Sequence, residues 1–338
     1  MPARGVVLSM GAVRVLVLAM GGTISMDQGS EGAAPRFGGE ELLASLPGLP
    51  PSADVHVETM GRASSENLDV GAMLGVAERI RRARDSYGGV VVTIGTDALE
   101  ELAFALDVVL DVELPVVLTG ALRNSSVPSA DGPANVLDAI CVAASPAARG
   151  LGVLVVFNQE IHAARFVQKA HTFALDAFRS DPCGPLGWIV EERPRIAHRA
   201  AAPPIRVALD AGASVPYVAL ATTFGGDDGR TLGGFEREDV AGLVIQTLGS
   251  GHVSRALVEP LTRLAQRIPV VYASRIPFGD LFTDTYAYPG AEIDLLSRGL
   301  ICSGALGGPK ARALLALLLA SGATREQIAR VFADSRGG

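Results

Sequence analysis

Cysteine is scarce in this chain, with three in 338 residues: Cys141, Cys183 and Cys302 are far apart, odd in number and without C-x-x-C spacing. That argues against a disulfide framework or a zinc site. Histidine is equally thin, five scattered residues with no His-x-x-x-His pair, so metal catalysis has no ligand set. There is no excess of basic charge. Lys and Arg number 29 against 36 Asp and Glu, a formal charge of −7, which leaves no field for nucleic acid. The one basic cluster, Arg79-Ile80-Arg81-Arg82-Ala83-Arg84, has no interleaved aromatics and reads as a solvated helix face. Long apolar runs are missing as well. The longest, Ala313 to Ala320, falls far short of the roughly 20 residues of a membrane span and reads as a buried helix. Val13 to Met20 is too short and too poorly flanked for a signal peptide, so the expected location is cytoplasmic.

What is present is alternation. Val13–Ala19, Val90–Ile94, Pro115–Leu118 and Gly152–Phe157 are apolar runs expected as strands; Gly39–Leu46, Val70–Asp85, Ala98–Leu110 and Asn135–Ala144 are expected as helices. Such βαβ order implies a parallel sheet with helices on both faces. Pro-rich and Ala-rich sequence from Arg193 to Pro204, continuing to Ser214, reads as a linker. Beyond it, Val218–Phe224, Leu243–Thr247 and Pro269–Ala273 read as strands and Val253–Gln266 as a helix, with two helices closing the chain. Thr324-Arg325-Glu326-Gln327 reads as a capping box. The expectation is two α/β domains in series, each with its own core: a larger N-terminal flavodoxin-like domain over 1–200, a linker over 201–215 and a smaller domain over 216–338. With 49% hydrophobic residues, some apolar surface is expected between subunits.

Two threonines follow strand-like runs in glycine turns: Thr23 in Met20-Gly21-Gly22-Thr23-Ile24-Ser25 and Thr96 in Ile94-Gly95-Thr96-Asp97. Strands of a parallel sheet deliver their next residues to one edge, so two hydroxyls and a carboxylate could meet there. Nucleophilic catalysis needs a hydroxyl and a group to take its proton. Taken alone, Thr96-Asp97 could as well be a helix N-cap. The same edge receives Thr119-Gly120-Ala121, the turn Ser129-Ala130-Asp131-Gly132-Pro133-Ala134-Asn135, and Arg165-Phe166-Val167-Gln168-Lys169-Ala170-His171-Thr172. Two look-alikes fail. Gly304 to Lys310 resembles a phosphate-binding loop, but Pro309 precedes the lysine and Ala311 follows it; Gly249-Ser250-Gly251 lacks the third glycine of a dinucleotide fingerprint.

Over nearly its whole length, through these motifs and through Gly249-Ser250-Gly251-His252, Ala273-Ser274-Arg275-Ile276 and Lys310-Ala311-Arg312, the chain resembles the bacterial-type L-asparaginases and glutaminase-asparaginases. The resemblance implies an amidohydrolase that converts L-asparagine to L-aspartate and ammonia without a cofactor, with glutamine as a weaker substrate. It implies Thr23 as nucleophile, Thr96, Asp97 and Lys169 as a supporting triad, and Ser65, Glu66 and Ala121 at the substrate. Glu292 would come from a neighbouring subunit of a homodimer or homotetramer. A lysine among apolar neighbours would have its ammonium disfavoured and could serve as base toward Thr96, with Asp97 facing the substrate ammonium. Relatives place a tyrosine on a lid near the first threonine. Ala33 stands there in this chain, in a segment expected to be mobile from Ser25 to Gly38, and His252 replaces a frequent asparagine. The alternatives are a catalytically weak asparagine or aspartate sensor, and an ammonia-supplying amidotransferase subunit.

Overall fold

The computed structural model describes residues 11–22, 24, 26–29, 32–35, 38–201 and 203–335, with the side chains of 26–29 and 32–35 outside that description. The first domain runs through β1 (Val13–Ala19), β2 (Met26–Gly29), β3 (Gly32–Pro35), α1 (Gly39–Ala44), β4 (Ala53–Thr59), α2 (Val70–Ala83), β5 (Gly89–Thr93), α3 (Leu99–Val109), β6 (Val116–Thr119) and α4 (Gly132–Ala143). It continues with β7 (Val153–Phe157), β8 (Glu160–Ala163), β9 (Gln168–Lys169), β10 (Phe178–Arg179), β11 (Gly187–Val190) and β12 (Arg193–Ile196). The second domain holds β13 (Val218–Thr222), β14 (Gly242–Thr247), α5 (Arg255–Arg267), β15 (Val270–Ser274), α6 (Glu292–Ser297), β16 (Ile301–Cys302), α7 (Gly308–Ala320) and α8 (Arg325–Asp334).

The main sheet has the order β12-β11-β8-β7-β6-β5-β1-β4. Its centre is parallel, as βαβ connections require, while tight hairpins join β7 to β8 and β11 to β12, and β11 pairs antiparallel with β8 across the longer connection that holds β9 and β10. The central strands are almost wholly apolar because both faces are covered, the exceptions being Arg14 at the exposed start of β1 and the buried Thr93 and Thr119 at the ends of β5 and β6. In β1, Leu16 and Leu18 join the core layer under α2 and α3, whereas Val15 and Val17 face the layer under α1 and α4; β5 and β7 divide the same way. The second domain has its own parallel sheet, β13-β14-β15-β16.

Three sequence expectations need correction. Arg193–Ile196 is no linker but an edge strand, where the missing N–H of Pro194 is tolerated. The stretch that does connect the domains is docked, with Val207 buried and donating to the Val108 carbonyl at 3.0 Å. The cores are not wholly separate either, because one cluster lies within each domain but a third runs through both. α3 buries Leu99, Leu102, Phe104 and Leu106 in one cluster with Leu314, Leu315 and Leu317 of α7, and Arg312 pairs with Glu101 at 2.9 Å across this seam. At roughly 1.5–3 kcal/mol per buried large apolar side chain, this shared layer is a large part of what joins the domains. Finally, the basic cluster is only partly solvated: Arg79 grips Glu58 with Nε at 2.8 and 3.1 Å, and Arg81 donates to the Val109 carbonyl at 2.7 Å.

Candidate active site

Glycine sets the closeness of the turns at the carboxyl edge. Gly21 and Gly22 have φ of 102° and 89°, in the region that favours glycine. A Cβ on Gly22 would fall 2.3 Å from Gly95 N, one on Gly95 2.8 Å from Ser65 Oγ, and one on Gly120 2.4 Å from the Ile94 carbonyl. The turns after β1, β5 and β6 therefore pack backbone against backbone, with the Ser65 turn wedged beside them. Thr23 itself lies outside the described residues, as do Ser25 and the side chain of Ala33; β2 and β3 pair as a hairpin in that region. Ile24 is buried in the layer that also holds Ala121.

Lys169 reaches this edge from β9. Its Nζ donates to Thr96 Oγ1 at 2.9 Å and to Asp97 Oδ1 at 2.6 Å, and its backbone N–H donates to Glu100 Oε2 at 2.5 Å. Thr96 is buried, the Lys169 side chain is 16% exposed and that of Asp97 is 70% exposed. The lysine is thus not the apolar-surrounded base anticipated from sequence, since its head lies between a hydroxyl and a carboxylate. Burial pushes the Glu100 carboxyl up, and the nearby Lys310 ammonium pulls it back. Asp97, Lys169, Ala170, His171 and Thr172 line an open hollow of about 340 Å³. A larger hollow of about 880 Å³ runs along α4 beside Asp138 and Cys141; the site is assigned to the smaller one because Lys169, which holds the Thr96 hydroxyl, and Asp97 line it.

The remaining expected residues divide. Ser65 is buried, and its Oγ accepts from the Asp97 and Ala98 N–H groups at 3.1 and 3.3 Å. The cap of α3 is therefore supplied by Ser65 rather than by Thr96 or Asp97, since the N-cap residue, Ala98, has no capping side chain. Glu66 is exposed and accepts from Asn67 Nδ2 at 3.4 Å. Ala121 is buried. Asp131 accepts from the Leu122 and Arg123 N–H groups, and Asn135 Nδ2 donates to the Gly120 carbonyl at 3.1 Å, so the Ser129 to Asn135 turn braces the Thr119-Gly120-Ala121 loop.

Glu292 belongs to a second cluster, at the start of α6. It is fully buried; burial opposes its charge, but the Tyr286 and Thr285 N–H groups, at 2.5 and 3.0 Å, hold its carboxyl below the usual range. Its Oε2 faces His252 Nε2 at 3.3 Å, and neither atom has a hydrogen-bond partner. The exposed rings of Phe282, Tyr286 and Tyr288 surround this pair. Glu100 and Lys310 support the Lys169 stretch, a role the sequence does not assign them: Glu100 reads only as helix, and Lys310 as part of a failed phosphate loop and of the Lys310-Ala311-Arg312 motif.

A doubly covered parallel sheet with a lysine held on a threonine hydroxyl at its carboxyl edge has the form of an α/β enzyme. The family model for the asparaginase N-terminal domain matches residues 14–202, and that for the glutaminase/asparaginase C-terminal domain matches 217–332. A probable L-asparaginase of Deinococcus radiodurans is 38% identical over 94% of this chain and 97% of that protein. A probable periplasmic L-asparaginase of Haemophilus influenzae is 33% identical over 95% and 92%. The crystal structure of a probable cytoplasmic L-asparaginase from Campylobacter jejuni superposes with a TM-score of 0.85 at 28% identity, covering 95% of this chain and 99% of the other. The chain belongs to the asparaginase family.

Proposed function

We propose that the chain hydrolyses the side-chain amide of L-asparagine, with L-glutamine as a weaker substrate, through a threonine-bound acyl intermediate. The observation that carries this is Lys169 Nζ at 2.9 Å from Thr96 Oγ1 and 2.6 Å from Asp97 Oδ1, beside the meeting point of the two glycine turns. In this reading Thr23 Oγ attacks the amide carbon, and its proton passes through a water to the Thr96 and Lys169 pair. The carbon–nitrogen bond then breaks and ammonia leaves with that proton. Water next attacks the ester carbon, its proton restoring Thr23 and its oxygen completing aspartate. Asp97, exposed at the rim, would face the substrate ammonium together with Glu66, while the Ser65 hydroxyl proton and the Ala121 backbone would serve the other end of the substrate. Hydroxylamine should divert the intermediate to aspartyl hydroxamate, and Thr23→Ala should lose both products while still binding aspartate by calorimetry. Ammonia release without any hydroxamate would remove the acyl step. Because Ala33 stands where relatives carry the lid tyrosine, Ala33→Tyr is expected to raise kcat.

We further infer that a second copy completes the site. Supporting this are the buried Glu292 carboxylate with an oxygen lacking a hydrogen-bond partner and the exposed ring cluster around it, a surface that water covers poorly. A homodimer or homotetramer is therefore expected, and sedimentation of a fully active monomer would refute it. Three free cysteines, one of them exposed, favour a reducing compartment such as the cytoplasm, which fractionation of the source cells tests. Among the described residues, no helix is long and apolar enough to cross a membrane.

A further inference from the structure

The lysine of the site stands on a weak platform. β9 is two residues long and pairs with the equally short β10, outside the main sheet, and an isolated ribbon of that size has little stability of its own. Something else must hold the Arg165 to Lys169 stretch. Lys310, in the first turn of α7, is 2% exposed, and its Nζ donates to the carbonyl oxygens of Arg165, at 2.9 Å, and of Val167. At the other end of the same stretch, Glu100 of α3 takes the Lys169 N–H. The segment is thus gripped from the second domain and from the helix that follows Thr96-Asp97.

A buried ammonium is expensive, and an apolar side chain of equal length would fill the space without that cost. Burial lowers Lys310 to about 8; the Glu100 and Asp107 carboxylates of α3 oppose the shift and Arg165 adds to it. His162 of β8 also feels this charge, and burial together with Lys310 keeps its ring neutral. We propose that Lys310 is a positioning residue for Lys169: by pinning the carbonyls of Arg165 and Val167 from the second domain, it sets where the Lys169 ammonium meets Thr96. The idea rests on the reading of Lys169 as the base of the site. A displacement of about 1 Å at such a group can cost about 100-fold in rate, so the seam between the domains tunes catalysis without touching substrate.

The test is Lys310→Met, which keeps the length of the stem and removes the donors. Ammonia release from asparagine should show kcat reduced at least about 30-fold with KM changed less than about 3-fold, as expected when alignment is lost and binding is kept. Lys310→Ala should recover kcat saturably with propylammonium, which can enter through the cavity of about 440 Å³ lined by Lys310, Arg165 and Gln168. Should either variant fail to fold, Glu100→Gln probes the other grip, with a smaller loss again confined to kcat. A folded Lys310→Met enzyme with parental kcat, or a loss confined to KM or to melting temperature, overturns the proposal. Lys169→Met is run beside it. If that variant is inactive while Lys310→Met is fully active, positioning alone is wrong; if Lys169→Met keeps parental kcat, the reading of the base fails and takes the proposal with it.

Discussion

The two acidic clusters of the molecule are built in opposite ways. At the first-domain edge, Asp97 and Glu100 have their partners within the chain: the Lys169 ammonium and its backbone N–H are both taken, and Lys310 braces the segment from beneath. In the second domain, Glu292 has no exposed surface, yet one of its oxygens and the facing His252 nitrogen lack hydrogen bonds under a set of exposed rings. Buried polar atoms are almost always satisfied in a finished structure. The first cluster is complete in one chain, and the second has the form of something a further surface would complete.

The largest expected effect breaks the first cluster. Lys169→Met should lower kcat by about 10²–10⁴, the usual worth of general-base assistance, with KM nearly unchanged in steady-state ammonia release. An equal loss in KM would move the lysine from catalysis to binding.

The second cluster is tested next. Glu292→Gln keeps an acceptor for the Thr285 and Tyr286 N–H groups but removes the charge, and should lower kcat/KM by about 10²-fold, in keeping with a few kcal/mol for an unpaired ammonium. Co-refolded Lys169→Met and Glu292→Gln chains should regain activity that neither has alone, because one supplies the lysine and the other the carboxylate. If mixing restores nothing while the chains still associate, the contrast between the clusters is not a contrast between subunits.

Beneath the first cluster, burial and then Lys310 push His162 down to about 4 from an ordinary 6.5. Between those values the unfolded chain binds a proton that the native one does not, so stability is full above about 6.5 and is lost as pH falls toward 4. The loss should be about 3 kcal/mol. Urea unfolding at pH 7 and pH 4.5 should show a smaller drop for His162→Gln than for the parent; an identical drop would mean the ring is hydrated.

The smallest effect is a control away from both clusters. Burial, with Glu192 adding, raises Asp138 to about 6 from 3.8, so ionisation above pH 6 costs the native state. Asp138→Asn should gain about 1 kcal/mol at pH 7, after discounting for the solvent that reaches this half-buried group, and nothing at about pH 2.5, where both states are protonated. Activity should not change, and a change would mean that the hollow along α4 communicates with the edge.

The central strands, the helices α2 to α4 and the capping box of α8, where Thr324 and Gln327 exchange hydrogen bonds, were legible from local pattern, because their periodicity is itself the record of which faces are covered. Ala53–Thr59 carries a readable strand alternation, with Val55 and Val57 between polar residues. Arg193–Ile196 was hidden because proline and arginine read as a linker until an antiparallel neighbour makes them an edge. The glycine turns could be placed together because parallel strands deliver their ends to one edge, whereas Lys169 arrives from a short ribbon outside the main sheet and joins them by motif rather than by strand order. Sequence could not show that Ser65 caps α3, that Asp97 pairs with Lys169, that one core runs through both domains, or that Lys310 lies buried against the segment bearing Lys169. Local periodicity records which side of an element is covered. It does not record by what, and these contacts join residues far apart in the chain, 145 positions for Lys310 and Arg165 and 211 for the pair across the α3–α7 seam, so only the closing of the tertiary structure decides them.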